Sequence, residues 1–141
     1  MGLNVTLLRT SFDMVLEREP SLTRRFYDNL FARYPATREM FFRSPRATQE
    51  KMLADALVAV IDHLEDAPWL AEKLGAIGAK HVDYGVKPEM YGWVGEALLA
   101  TLADVAGPDW SEDLAREWGA AYGAITSLMV PRESRAPVAA E

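Results

Sequence analysis

Cysteine is absent from the 141 residues. That absence excludes disulfides, thiolate metal sites and cysteine nucleophiles together. Histidine is scarce, with only His63 and His81, so no four-ligand set for a structural zinc exists at any recognisable spacing. Also missing is any apolar run near the ~18 residues that a membrane span needs. The opening "MGLNVTLLRTSFDMVLEREP" has no basic segment leading into an apolar stretch and a small-residue cleavage site. Its first six residues formally fit the short N-myristoylation pattern, but nothing else in the chain suggests a lipid anchor. Basic residues are outnumbered, 15 Lys and Arg against 21 Asp and Glu, and they are scattered. No electrostatic footprint for nucleic acid or an acidic membrane results. The chain is expected to be soluble and cytoplasmic, with neither nucleic acid nor membrane as a partner.

What is present is a 50% hydrophobic composition, enough at this length for one domain that buries about two-thirds of the surface its unfolded chain would expose. Apolar residues recur at helical spacing almost throughout, and no stretch alternates with the period of two that strands require. An all-helical fold is expected. A first helix over about 4–18 carries Val5, Leu8, Phe12 and Val15 on one stripe. A second, over about 20–33, stacks Leu22, Phe26 and Leu30, with Pro20 at its start. A long helix over about 46–65 follows the adjacent Phe41 and Phe42, and others are expected at about 68–82, 88–105 and 111–130, the last capped by Ser111. The domain is expected to span 1–133, leaving 134–141 as a disordered tail without apolar periodicity.

His81 sits where the argument about function begins. At about 100° per residue it falls within about 20° of the stripe formed by Leu70, Leu74 and Ile77, so it points inward. One reading is a core histidine satisfied by a backbone carbonyl. The other starts from Tyr27 and Gln49, polar groups on neighbouring helices that share an interior with Phe41 and Leu53. Such a mixture packs poorly unless something polar is bound there. His63 lies about 21 Å further along the long helix than Gln49 and reads as a surface or corner residue. A single imidazole in an apolar pocket suits a metal that brings its own equatorial ligands, as haem does.

At these residues the chain resembles a known family. The stretch "KHVDYGVKPEMYGWVGEALLATL" (80–102), together with "FYDNLFARYP" (26–35), Gln49, Lys51 and Leu53, and "EWGAAYGAI" (117–125), is similar to bacterial single-domain globins of the Vitreoscilla type and to the haem domain of flavohaemoglobins. The blocks are collinear and reach to about residue 133. The resemblance implies a globin fold, three helices over three, enclosing haem b whose iron is held by His81. It also implies Tyr27 and Gln49 as distal hydrogen-bond donors, Leu53 as an apolar distal contact, and Phe41 as the ring stacked on the porphyrin, with Phe42 competing for that place. Val86 and Val94 join the haem contacts on the same ground. Lys80 matches a lysine near a haem propionate, or is simply solvated. Tyr91 and Glu133 match the pair that hydrogen-bonds the proximal imidazole, although Pro131 breaks a helix just before Glu133.

Four functions follow from that resemblance, in order. The first is reversible binding of O2, with CO and NO as further haem ligands: oxygen storage, delivery or transport. The second is nitric oxide dioxygenation, for which no FAD or NAD domain is found in the 141 residues, so a separate reductase is expected. A haem-based gas sensor and a globin-fold interaction module without haem come third and fourth.

Overall fold

In a computed structural model, residues 3–41, 45–83 and 85–130 are described, except for the side chain of Phe41. Seven α-helices account for most of them, and no strand occurs among the described residues. α1 (Val5–Arg18) starts where the Asn4 side chain accepts a hydrogen bond from the Leu7 amide at 3.0 Å, the usual way a helix satisfies one of its orphan donors. It buries Leu8, Ser11, Phe12 and Val15, the spacing of one helix face. α2 (Leu22–Arg33) buries Leu22, Thr23, Phe26, Tyr27 and Leu30. It starts two residues later than the sequence predicts, so Pro20 lies in the corner before the helix rather than inside its first turn.

A 3₁₀ turn and the short α3 (Arg38–Phe41) lead towards α4 (Arg46–Asp62). α4 ends three residues short of the expected boundary. Arg9 donates to the Ile61 and Asp62 carbonyls, at 3.2 and 3.3 Å, and so satisfies two of the acceptors that a continued helix would have used. α5 (Ala67–Asp83), α6 (Pro88–Ala106) and α7 (Glu112–Met129) follow. Pro88 begins α6 where its missing N–H costs nothing, and Ser111 caps α7 through the Leu114 amide at 3.1 Å, as predicted. Residues 134–141 lie outside the described residues.

α1, α4 and α5 pack chiefly on α2, α6 and α7, giving two layers of three helices. The tightest crossings join α2 to α6 and α5 to α7. Leu8, Leu22, Leu30 and Leu102 are buried almost without residue, and each such side chain contributes about 1.5–3 kcal/mol by leaving water. The polar groups inside are paired. Asn29 donates to the Thr101 hydroxyl at 2.7 Å, and Thr101 donates to the Ala97 carbonyl at 2.8 Å. The Trp118 indole donates to Ser11 at 3.0 Å. Among the described residues no buried side-chain nitrogen or oxygen lacks a partner, which removes the main cost of putting such groups in a core.

α4 and α5 depart from this pattern. Although consecutive, they are not a closely packed pair; Val60, Ile61 and Leu74 are buried, but Leu53, Leu57, Leu70 and Ile77 stay half-buried.

Candidate functional site

The residues that sequence reading singles out fall into two groups, one around His81 on α5 and α6 and one around Tyr27 on α2 and α4. α5 is held against α7 by Gly78, where a Cβ would fall 1.8 Å from the Met129 carbonyl oxygen. Only glycine allows the two backbones to approach so closely. One turn further on, His81 is half-buried. The chain then reverses through Gly85, at φ +87°, a left-handed conformation that favours glycine, and Val86 donates to the His81 carbonyl at 2.9 Å. This tight return brings α6 back beneath the histidine.

Tyr91, in the first turn of α6, therefore meets the ring: its hydroxyl lies 3.2 Å from His81 Nδ1. Tyr91 is itself anchored, since the Tyr122 hydroxyl donates to the Tyr91 carbonyl at 2.6 Å. Tyr122 comes that close because its ring lies over Gly95, where a Cβ would sit 2.5 Å from ring carbon. Nε2 of His81 has no hydrogen-bond partner among the described residues. Burial pushes the His81 pKa down from its usual value, because a low-dielectric setting disfavours the imidazolium. Burial thus favours the neutral ring; in the tautomer with its proton on Nδ1, the ring donates to Tyr91 and keeps the Nε2 lone pair free. That is the state in which imidazole ligates a metal.

On α2, Tyr27 is buried, its ring stacked on Phe31 at 5.7 Å and edge-on to Phe26 at 5.0 Å. Its hydroxyl is hydrogen-bonded with Gln49 of α4. The Tyr27 pKa is pushed up to about 12, first by burial and further by the nearby Glu50 charge, against the opposing effects of Gln49 and Arg46. The phenol therefore keeps its proton, and its capacity to donate, at any physiological pH.

The start of α4, which carries Gln49, is tied to α2 by Arg46, which sequence reasoning did not single out. Its guanidinium reaches across from α4 to the Asp28 carboxylate at 2.7 Å and the Arg24 carbonyl at 3.0 Å, both on α2, while also pairing with Glu50 at 2.9 Å. It also lies 5.7 Å over the Phe31 ring. Such forked contacts hold direction as well as distance.

The other expected residues divide clearly. Leu53 and Val94 are half-buried against the core cluster and Val86 is half-buried. Lys80 is exposed. Phe41 ends α3, with its side chain outside the described residues, and Phe42 and Glu133 also lie outside them. α7 ends at Met129, ahead of Pro131. His63 caps the end of α4 and stacks on Trp69, ring centroids 3.7 Å apart, a corner residue as expected. No group of three or more acidic or imidazole ligands clusters among the described residues, and no helix among them is long and apolar enough to cross a membrane.

A two-layer bundle of helices with a half-buried imidazole paired to a tyrosine on α5 and α6, and a tyrosine–glutamine pair on α2 and α4, defines a class, and comparison with known proteins agrees. Residues 24–129 match the globin family, and the chain belongs to that family. It is 33% identical over 129 residues to a flavohaemoprotein of Bordetella pertussis, and 30% identical over 131 residues to one of Rhodopirellula baltica. These alignments cover 90% and 92% of this chain but 32% of each relative, so the chain spans about a third of their length. Among solved structures, an engineered carbene transferase from Rhodothermus marinus, provisionally assigned as a nitric oxide dioxygenase, superposes with a TM-score of 0.79 at 28% identity, covering 97% of this chain and 96% of that one. A bacterial globin from Campylobacter jejuni gives 0.76 at 26% identity, covering 89% and 91%. The fold is the all-α globin fold, three helices over three.

These residues fit haem. Leu53, Ile77, Val86 and Val94 are apolar and half-buried, α4 and α5 are not closely packed on each other, and Nε2 of His81 has no hydrogen-bond partner among the described residues. That donor set suits a metal held mainly by its own macrocycle.

Proposed function

We propose that this globin binds haem b between α4 and α5, with His81 as the axial ligand and Tyr27 and Gln49 on the opposite face, and that it binds O2 reversibly. The observation that supports the reading is the pairing of His81 with Tyr91 and of Tyr27 with Gln49 in a chain of the globin family. Haem, when bound, supplies an iron centre that takes a diatomic gas.

The chain's own residues then do three things. His81 offers Nε2 to the iron while Tyr91 accepts from Nδ1–H, which fixes the ring plane and makes the imidazole a stronger donor. Tyr27 and Gln49 present O–H and N–H groups to a ligand that carries partial negative charge, favouring O2 over the less polar CO. Arg46 keeps that pair in register by tying α4 to α2. Phe41 or Phe42 would stack on the ring system, Leu53, Val86 and Val94 would supply apolar contacts to it, and Lys80 would pair with a propionate. Glu133 is the candidate to extend the Tyr91 contact. The protein works in the cytoplasm.

A second reading, nitric oxide dioxygenation with electrons from a separate reductase, is favoured by the flavohaemoprotein relatives and by the assignment of the Rhodothermus marinus neighbour. Absorption spectra of the haem-reconstituted protein, reduced and then exposed to O2 and to CO, test the first reading. A Soret band that shifts with each gas, and is disturbed by His81→Ala, is the expected result. Absence of stoichiometric haem uptake, or uptake indifferent to His81, overturns it. Consumption of NO by the oxygenated protein, with nitrate as the product, separates the second reading from the first.

A further inference from the structure

The two ends of α4 are held by different forces. Its last turn carries Val60 and Ile61, both buried, and Arg9 of α1 donates to the Ile61 and Asp62 carbonyls there. From Arg46 to Ala59, by contrast, every residue is half-buried or exposed. Packing of an apolar face is what chiefly holds a helix in a protein, so the first turns of α4 are held more weakly than its last.

At that weak end the polar contacts converge on Arg46. Its guanidinium bonds to the Asp28 carboxylate and the Arg24 carbonyl of α2, and Glu50, one turn along α4, accepts from Nε and sets the direction of the group. The same guanidinium and that of Arg38 on α3 each lie 5.7 Å from the centre of the Phe31 ring, where the ring face attracts a cation. Phe31 in turn stacks on Tyr27, the two planes 27° apart. Gln49 lies three residues beyond Arg46, nearly one turn. Arg46 therefore bears on both members of the proposed distal pair, on Gln49 through the helix and on Tyr27 through Phe31. Its ion pair with Asp28 stands in water, with side chains 44% and 63% exposed, and an exposed pair is weak and screened by salt. Such a contact suits a catch that releases better than a permanent strut.

We infer that Arg46 is a positioning residue for Tyr27 and Gln49, a latch between α4 and α2 through which ionic strength sets how firmly O2 is retained. Its effect on O2 rests on the proposed haem function; the latch itself does not. Closed, it keeps Gln49 against Tyr27. When Arg46 lets go, the first turns of α4 move off α2 about the buried end at Val60 and Ile61, and the pair parts. Salt favours release, because screening shortens the reach of the charges from about 30 Å at 0.01 M to about 3 Å at 1 M. A neutral tyrosine–glutamine bond alone would be indifferent to salt.

Sodium chloride is the probe. In the haem-free protein, amide hydrogen exchange over residues 50–57, measured relative to α6, should quicken between about 0.01 M and about 1 M salt. Arg46→Gln should be fast throughout and insensitive to salt. Asp28→Asn, which breaks the latch from the α2 side, should match it and keeps the test open if Arg46→Gln disturbs folding. Arg33→Gln, which breaks an equally exposed pair with Glu96, should keep the parent's salt response. Exchange in the parent that ignores salt, or a salt response that survives both Arg46→Gln and Asp28→Asn, overturns the latch. With haem loaded, O2 dissociation at low salt should be roughly 2- to 5-fold faster in Arg46→Gln than in the parent, and the difference should vanish at high salt. Salt-responsive exchange beside unchanged O2 dissociation overturns the link to ligand retention. A salt-responsive α4 in a protein that takes no haem supports the latch and sinks the proposed function instead.

Discussion

The half of the molecule built from α1, α2, α6 and α7 closes its apolar surface upon itself, with Leu8, Leu30, Ala97 and Leu102 at or near zero exposure. The half carried by α4 and α5 does so only at Val60, Ile61 and Leu74; Leu53, Leu57 and Ile77 are half-buried, as are His81 and Gln49. Both halves have ample apolar residues, so composition does not explain the difference. In the first, small and polar residues are spent on closure: Gly95 admits the Tyr122 ring, and Thr101 bonds to Asn29. In the second, the polar residues pair only at the margins, Tyr27 with Gln49 and His81 with Tyr91. One half is completed by folding, and the other is the half that the proposed haem would complete.

Substitutions should separate the two halves. The largest effect is expected from His81→Ala, which removes the only inward imidazole. Haem titration followed at the Soret band should lose its stoichiometric end point, whereas Tyr91→Phe, which removes only the partner of Nδ1, should weaken haem affinity by roughly 10–100-fold. Next, Leu30→Ala in the closed half should cost about 2–5 kcal/mol in chemical denaturation. Leu53→Ala should cost clearly less in haem-free protein and more once haem is bound. Equal costs at both positions without haem would erase the comparison.

Smaller effects belong to the distal pair. Tyr27→Phe or Gln49→Leu should each weaken oxygen retention by about 1–2 kcal/mol, a factor of about 5–30, read as faster O2 dissociation with CO binding little changed. The smallest is a dependence on alkaline pH. Tyr27 ionises at about 12 in the folded chain against 10.0 for an unperturbed tyrosine, so between these values the unfolded chain loses a proton that the folded chain keeps. Stability should therefore fall as pH rises above about 10, and Tyr27→Phe should reduce that slope.

Much of this was legible in the sequence. Helical periodicity located six of the helices because their buried stripes are long, and Ser111 marked the start of α7 through its side chain alone. The inward direction of His81 followed from the same geometry. Boundaries set by partners distant in sequence were less legible. α4 stops at Asp62 because Arg9, more than fifty residues earlier, takes its last carbonyls. The clamp of Arg46 on Asp28 and Arg24 likewise exists only once α2 and α4 are side by side. A charged residue at the start of a helix gives no local sign of such a role. The close approaches at Gly78 and Gly95 depend on where α7 lies, which spacing along α5 or α6 does not reveal.

The most direct test of a half-closed fold completed by haem is native-state amide hydrogen exchange, with and without one equivalent of haem. Protection should rise in α4 and α5 on loading, while α2 and α6, already closed in the haem-free protein, should change little. Protection that rises evenly along the chain, or that leaves α4 and α5 unchanged, would contradict the account.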